Sequence, residues 1–357
     1  MRAAVMRGGA LVVDEVADRE PGPGQVLAEV LACGICGSDL HALHHADELV
    51  EMSTVTGAEL GPLAPKVFDP ARDVVMGHEF SARVLQVGEN VGNSAPGDVV
   101  VSLPIVMDAG GLHAVGYSNE YAGGYGERIV LSDMLTMKVP NGLDARHAAL
   151  TEPMAVGLHA VESSRMGAEG AAPRHAAVVL GCGPVGLAVI AAARLAGCEC
   201  IVAADLSPAR RALATTMGAT EVVDPREEGA VAAWRRLDGR RPVVLFEAVG
   251  VPGMLDACLT DAPRGSQVVV VGVCMQPDTL RPMIAVGKEL NLQFVLGYDP
   301  AQFGTTLRRI AEGELDVAPL LTGEVDLAGV AGAFETLADP GAHAKILVVP
   351  GHSTRFS

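Results

Sequence analysis

AAVVLGCGPVGLAVIAAA, residues 176–193, runs for 18 residues without a charged side chain. That is about the shortest run able to span a bilayer, but Gly181, Gly183, Pro184 and Gly186 interrupt it near the middle. Its left half, Ala176–Leu180, is short and β-branched; its right half, Pro184–Ala196, is alanine-rich and helix-like. It therefore reads as a buried strand, a turn and a buried helix. A bare G-x-G-x-x-G says little, but here the turn Gly181-Cys182-Gly183-Pro184-Val185-Gly186 has the strand before it and the helix after it that a dinucleotide site requires. Gly181 allows the tight turn, Gly183 lets a pyrophosphate approach the backbone, and Gly186 lets the helix pack against the sheet. Free N–H groups at the helix start, with the helix dipole, bind the phosphates.

The same rhythm continues outward. Strands are expected at Glu199–Ala204, Glu221–Val223, Pro242–Glu247, Ser266–Val271 and Leu292–Leu296. Helices are expected at Pro208–Met217, with Ser207 as N-cap, and at Ala230–Leu237. Apolar strands alternating with helices indicate an α/β unit, a parallel sheet covered on both faces. Asp205 closes the second strand. A carboxylate there accepts hydrogen bonds from the adenosine ribose and repels a 2′-phosphate, which favours NAD over NADP. Arg210 and Arg211 follow closely and partly offset that repulsion; the other role open to Asp205 is to cap the next turn.

Residues before about 153 look different. Short β-branched runs such as Val26–Val30, Ser81–Val87 and Asp98–Ser102 are separated by turn signals, among them Pro21-Gly22-Pro23-Gly24 and Pro96-Gly97-Asp98. They suggest an antiparallel, partly barrel-like β domain. The tail from Gly297 ends in an expected strand at Ala344–Val349 and could return to that domain, making it discontinuous. At 357 residues, two domains suit the chain. With 43 acidic against 26 basic residues the net charge is −17, which disfavours nucleic acid and anionic membranes as partners. The N-terminus lacks the apolar core of a signal peptide, and seven cysteines without a dense framework fit reduced thiols in the cytoplasm.

A second constellation is scattered. Gly34-Ile35-Cys36-Gly37-Ser38-Asp39-Leu40-His41, Gly77-His78-Glu79 and Thr151-Glu152-Pro153 supply thiol, imidazole and carboxylate. A catalytic zinc uses three such ligands and keeps one position open, and Cys36, His78 and Glu152 form a suitable set. Cys33 and Cys36 also make a C-x-x-C, which reads better as one ligand beside one packing cysteine than as a redox pair.

In this order, with Glu152-Pro-Met-Ala-Val-Gly-Leu-His159 and the glycine turn, the motifs resemble the zinc-dependent medium-chain alcohol dehydrogenases, most closely the polyol and butanediol branch. The resemblance spans almost the whole chain, through Glu247-Ala248-Val249-Gly250, Val271-Gly272-Val273 and Lys345-Ile346-Leu347-Val348. It implies a doubly wound Rossmann domain at 154–296 and a discontinuous, β-rich GroES-like catalytic domain at 1–153 and 297–357. It implies one catalytic zinc on Cys36, His78 and Glu152, the last directly or through water, with Glu79 beside the metal and able to exchange onto it. Ser38 would contact the substrate hydroxyl and His41 would end a proton relay. Val185 would back the nicotinamide, the backbone of Val271, Phe294 and Leu296 would hold its carboxamide, Val249 and Val273 would border the cofactor, and Arg210 would touch the ribose. The implied reaction is hydride transfer between a secondary, cyclic or vicinal-diol alcohol and NAD, giving the ketone, in a homodimer or homotetramer. A polyol dehydrogenase of the same family, a zinc-free enone reductase and a non-catalytic nucleotide-binding protein are the alternatives.

The chain also departs from that family. Many members hold a structural zinc on four cysteines after the Gly-Asp turn, yet 98–127 contains no cysteine. Tyr117, Tyr121 and Tyr125 are candidates to hold that lobe instead. The long stretch between His41 and His78 reads as an open lid or binding loop, with His44 and His45 solvent-exposed near its start. By family position the mostly apolar Ser102–Met107 segment would border the substrate, with Met154 and Val273 nearby.

Overall fold

A computed structural model describes residues 1–61, 64–168, 174–339, 341 and 343–351; the extreme tail of the expected catalytic domain, 352–357, lies outside the described residues. The six-stranded parallel sheet runs in the spatial order Glu221–Val223, Ile201–Ala204, Ala176–Leu180, Val243–Glu247, Gln267–Val270, Asn291–Phe294. The first strand is central and the order reverses beside it, so a crevice opens at its carboxyl end, where ligands of doubly wound sheets bind. The strands are near-continuously apolar because helices cover both faces. Val178 and Val202 pack with Trp234 on one side, and Val179 and Ala203 pack with Leu187 and Ile190 on the other. Pro184–Leu195 starts where expected, and Ser207 accepts a hydrogen bond from the Arg210 N–H as N-cap of Pro208–Thr216.

The second unit is a mixed seven-stranded sheet. Gln25–Gly34 lies at its centre, pairing antiparallel with Glu79–Val87 and Arg128–Ser132. The late strand Lys345–Val348 also pairs with it, setting Leu347 opposite Gly34 and Val348 opposite Cys33. The end of the chain thus closes the sheet formed by its beginning. The stretch after His41 is not an open loop: it contains the helix Ala46–Gly57 and the short strands Pro65–Lys66 and Val74–Val75. Leu49 and Val50 rest against the β core, and Asp47 and Glu48 lie in the helix's first turn, where acidic side chains favour helix formation.

The cysteine-free lobe is held by polar contacts. Its hairpin, Ile105–Asp108 with Gly111–Ala114, carries Asp108, which accepts a hydrogen bond from the Tyr121 hydroxyl at 2.9 Å and faces His113 Nε2 at 3.2 Å. Gln25 ties Tyr121 and the Met107 carbonyl to the main sheet, and the Arg19 guanidinium lies 4.1 Å from the Tyr121 ring centre. Of the three tyrosines expected to hold this lobe, only Tyr121 turns into it. Tyr117 and Tyr125 point inward to Asp39. All seven cysteines are free thiols. Among the described residues, no helix is long and apolar enough to cross a membrane.

Candidate active site

A cleft of about 770 Å³ runs between the two units and is lined by residues of both. At one end stand three side chains from two chain segments. Strand Gln25–Gly34 delivers Cys36, which is the N-cap of helix Gly37–His44. His78 and Glu79 enter through Gly77, at φ +97°; a Cβ on Gly77 would meet the Tyr125 ring at 2.7 Å and Cys33 Sγ at 2.9 Å, so no other residue fits there. One donor atom each of Cys36, His78 and Glu79 lies within 4.8 Å of the others. Glu152, in the first turn of Thr151–Glu162, lines the same cleft but falls outside that tight group; its Oε1 accepts the Tyr298 hydroxyl at 2.9 Å. Sequence reasoning gave Glu79 the lesser place and Glu152 the greater. In the structure Glu79, expected beside the metal, is the carboxylate that joins the tight group.

The surrounding charges are buried and mutually compensated. Asp39 is fully buried and accepts the Tyr125 hydroxyl at 2.6 Å, the Tyr117 hydroxyl at 3.0 Å and the Cys36 N–H at 3.0 Å. Burial alone would raise its carboxyl, but neighbouring His78 and these hydrogen bonds bring it below the usual range. His78 Nδ1 sits 3.4 Å from Asp39 Oδ1, so the buried carboxylate backs the ring. Burial works against a proton on His78, yet Asp39 and Cys36 raise it well above the ordinary imidazole value in the metal-free protein. Glu79 receives both 2.7 Å bonds of the Lys345 ammonium, which also donates to the Ile35 carbonyl. Burial, reinforced by Glu79, pushes Glu152 up to about 7. Thiol, imidazole and carboxylate in one cluster, with a histidine backed by a carboxylate, is a donor set that fits zinc.

Ser38 and His41 line the cleft from helix Gly37–His44. Burial, with His45 and His44 nearby, lowers His41 below the ordinary imidazole value, so its ring is neutral at physiological pH.

The other end is the glycine turn. Gly181, at φ +92°, would bring a Cβ within 2.9 Å of the Ala248 carbonyl, and one on Gly186 would strike the Gly181 carbonyl at 1.9 Å. At Gly183 the nearest atom to an added Cβ is an Arg210 nitrogen 4.0 Å away, so the space above the turn is open. Gly183 is also the N-cap of Pro184–Leu195 and supplies no side chain, so the helix start offers its N–H groups outward, a cradle that fits a pyrophosphate. Asp205 lines the cleft and also holds the turn in place: its Oδ2 accepts the Cys182 N–H and its Oδ1 the Ser207 N–H, both at 2.8 Å. The capping role and the cofactor-facing position coexist. Arg210 faces the cleft, whereas Arg211 is spent on Asp224 and the Asp205 and Leu206 carbonyls.

Pro184, Val185, Val249, Val271, Val273 and Leu296 line the cleft as well. Phe294, expected to contribute its backbone, is not among the lining residues and is 67% exposed, while Val295 and Gly297 stand beside Leu296. Nor do Ser102–Met107 or Met154 border the cleft. Leu103 packs with Phe303, and Met154 sits in the core beneath the parallel sheet. The apolar wall is made instead by Pro153, Val156, Val273, Val295 and Leu296. Sequence reasoning assigned no role to Lys345 or Tyr298. A lysine opening the apolar run Lys345-Ile346-Leu347-Val348 was a usable signal, since a buried ammonium requires a partner.

Comparison with known proteins points the same way. Residues 22–141 match the alcohol dehydrogenase GroES-like domain, and residues 184–312 match the zinc-binding dehydrogenase model. The chain is 32% identical to the (R,R)-butanediol dehydrogenase of Bacillus subtilis, covering 95% of this chain and 96% of that one. The crystal structure of the 2R,3R-butanediol dehydrogenase of B. subtilis superposes with a TM-score of 0.82 over 98% of this chain and 99% of that one. Sorbitol dehydrogenase of the same organism is 27% identical over 94% of this chain and 93% of that one. A zinc-binding dehydrogenase of Sinorhizobium meliloti, bound to NADP, is 26% identical with a TM-score of 0.80, covering 98% of this chain and 99% of that one.

Proposed function

Because the chain belongs to the zinc-dependent medium-chain alcohol dehydrogenases, in the butanediol and polyol branch, we propose that it interconverts a small, uncharged secondary alcohol and its ketone, with NAD as hydride acceptor. Cys36 and His78 would hold the zinc together with Glu152, and Glu79 stands close enough to exchange onto it. The observation that carries this reading is the cluster of Cys36, His78 and Glu79 on the cleft into which the Gly181–Gly186 turn also opens.

Zinc, when bound, supplies Lewis acidity toward the alcohol or carbonyl oxygen, and the nicotinamide takes or gives the hydride. The chain does the rest. Asp39 fixes His78, and Lys345 holds the Glu79 carboxylate. Ser38 takes the proton of the substrate hydroxyl, and His41, neutral near pH 7, receives it at the outer end of the relay. The turn binds the pyrophosphate, and the valines of the cleft exclude water from the reacting carbon. This reading divides the chain into a catalytic unit, 1–153 with 297–357, and a nucleotide unit, 154–296.

An uncharged substrate follows from the cations. Among the described residues, the lysines and arginines that line the cleft are Arg210 and Lys345. Lys345 is saturated by Glu79 and Ile35, and Arg210 lies by the glycine turn, at the nucleotide end. A phosphate or carboxylate on the substrate would meet Glu79 and Glu152, and among the described residues of the cleft no unpaired lysine or arginine at that end is left to balance it. The apolar wall favours secondary, cyclic or vicinal-diol alcohols over sugar polyols. Asp205 at the strand end supports NAD over NADP, with Arg210 the opposing influence. The cysteine-free lobe supports a single zinc per chain. The sheet edge Asn291–Phe294, with Met283 and Val286 exposed beside it, supports a homodimer or homotetramer built through the nucleotide unit. Seven free thiols support the cytoplasm. Steady-state kinetics on zinc-loaded enzyme, with neutral, carboxylated and phosphorylated alcohols and with both cofactors, test the proposal. Highest kcat/KM for a neutral alcohol with NAD is expected; preference for an anionic substrate or for NADP refutes that part of the reading.

A further inference from the structure

Two tyrosines donate to the buried Asp39 carboxylate, and they are not equivalent. Tyr125 Oη reaches Asp39 Oδ2 at 2.6 Å and does not touch the proton relay. Tyr117 Oη lies 3.0 Å from Asp39 Oδ1 and 2.9 Å from Ser38 Oγ. Its ring is held from two sides, 5.5 Å from the His78 ring and 6.3 Å from Phe68 between centres. The backbone makes this approach possible. Gly116, at φ +86°, packs on Gly77, where a Cβ would meet the Gly77 backbone at 3.1 Å, so the residue that follows is delivered behind His78 and Ser38.

A phenol has one proton to donate. Tyr117 therefore serves two acceptors in turn, a carboxylate oxygen that can only accept and a serine oxygen that both accepts and donates. With the proton on Asp39, Ser38 keeps a free lone pair for the substrate hydroxyl. With the proton on Ser38, the serine oxygen is stabilised while it carries excess negative charge, as it does when its own proton leaves toward His41 before the substrate proton has fully arrived. A fixed donor aimed at an atom where charge develops is the arrangement that lowers a barrier. We propose that Tyr117 is a positioning residue for the relay: its hydroxyl swings from Asp39 to Ser38 during proton transfer and back afterwards. No bond is made or broken at Tyr117. The substrate proton goes to Ser38 Oγ, the Ser38 proton goes to the His41 side, and the Tyr117 O–H only rotates. The inference rests on the reading of Ser38 as the relay serine.

The test is a double-mutant cycle on zinc-loaded enzyme with Tyr117→Phe, Ser38→Ala and both together, and with Tyr125→Phe as the control that removes a donor to Asp39 alone. Tyr117→Phe should lower kcat about tenfold, the worth of one charge-assisted hydrogen bond, with unchanged KM and zinc content, a loss of Tm no larger than that of Tyr125→Phe, and a larger solvent isotope effect on kcat. In the Ser38→Ala background it should cost nothing further. Equal losses in both backgrounds, an unchanged kcat, or a loss of zinc would make Tyr117 a structural donor and overturn the proposal. Full activity of Ser38→Ala would instead remove the relay reading itself, a result distinct from any of these.

Discussion

The two ends of the cleft are built in opposite ways. The cofactor end is local: one strand, one turn and one helix start, contiguous from Ala176 to Leu195, supply the cradle, and Asp205 from the next strand pins it. The metal end is assembled from remote segments. Cys36, His78 with Glu79, Glu152, Tyr298 and Lys345 come from five places in the chain, and the Lys345–Glu79 contact spans 266 positions. A local site stands or falls with backbone conformation, whereas a remote one depends on side-chain chemistry and on a network of buried charges. Substitutions at the two ends should therefore fail differently.

The largest effect is expected at the metal end. Cys36→Ala or His78→Ala should abolish turnover and zinc binding while leaving NAD titration nearly intact. Loss of NAD binding in either would mean the two ends are not separable. Gly186→Ala is the counterpart at the cofactor end. Its Cβ has no room against the Gly181 carbonyl, so it should cost roughly 1–3 kcal/mol in stability by overpacking and raise KM for NAD, with zinc content preserved; denaturation and metal analysis together check this.

His41 sharpens the contrast within the metal end, because the proposed role for it is that of proton acceptor and not of ligand. Its value lies below the ordinary imidazole range, so it is neutral above that value and gains a proton only as pH falls through it. The kcat/KM for alcohol oxidation should hold at neutral pH and decline on the acid side, and His41→Gln should lower it by about a hundredfold and remove that limb from the pH profile. The smallest effect is expected far from both ends. Tyr121→Phe removes one hydrogen bond to Asp108 and should cost about 1 kcal/mol in stability with kcat unchanged.

The same contrast explains what could be read before the structure. Ala176–Leu180, Glu221–Val223 and Ala230–Leu237 were legible to the residue because apolar strands alternating with helices leave few alternatives. At the metal end the residue types were legible but their arrangement was not. That Glu79 joins Cys36 and His78 in one tight group while Glu152 stands outside it follows from tertiary contacts, with Gly77 turning the strand entry. Helix Ala46–Gly57 escaped notice because few apolar residues face the core. Ser102–Met107 was assigned to the substrate wall by analogy alone, and the burial of Leu103 and Val106 removes it. Of three tyrosines given one role, two turn to Asp39 instead, a distinction set by tertiary contacts alone.

The most direct measurement is zinc K-edge X-ray absorption on metal-loaded protein, with the metal counted per chain. One zinc per chain is predicted, with a single sulfur at about 2.3 Å and the remaining scatterers nitrogen and oxygen at about 2.0–2.2 Å. A shell with no sulfur or with several, or a second tightly bound zinc per chain, would contradict the account.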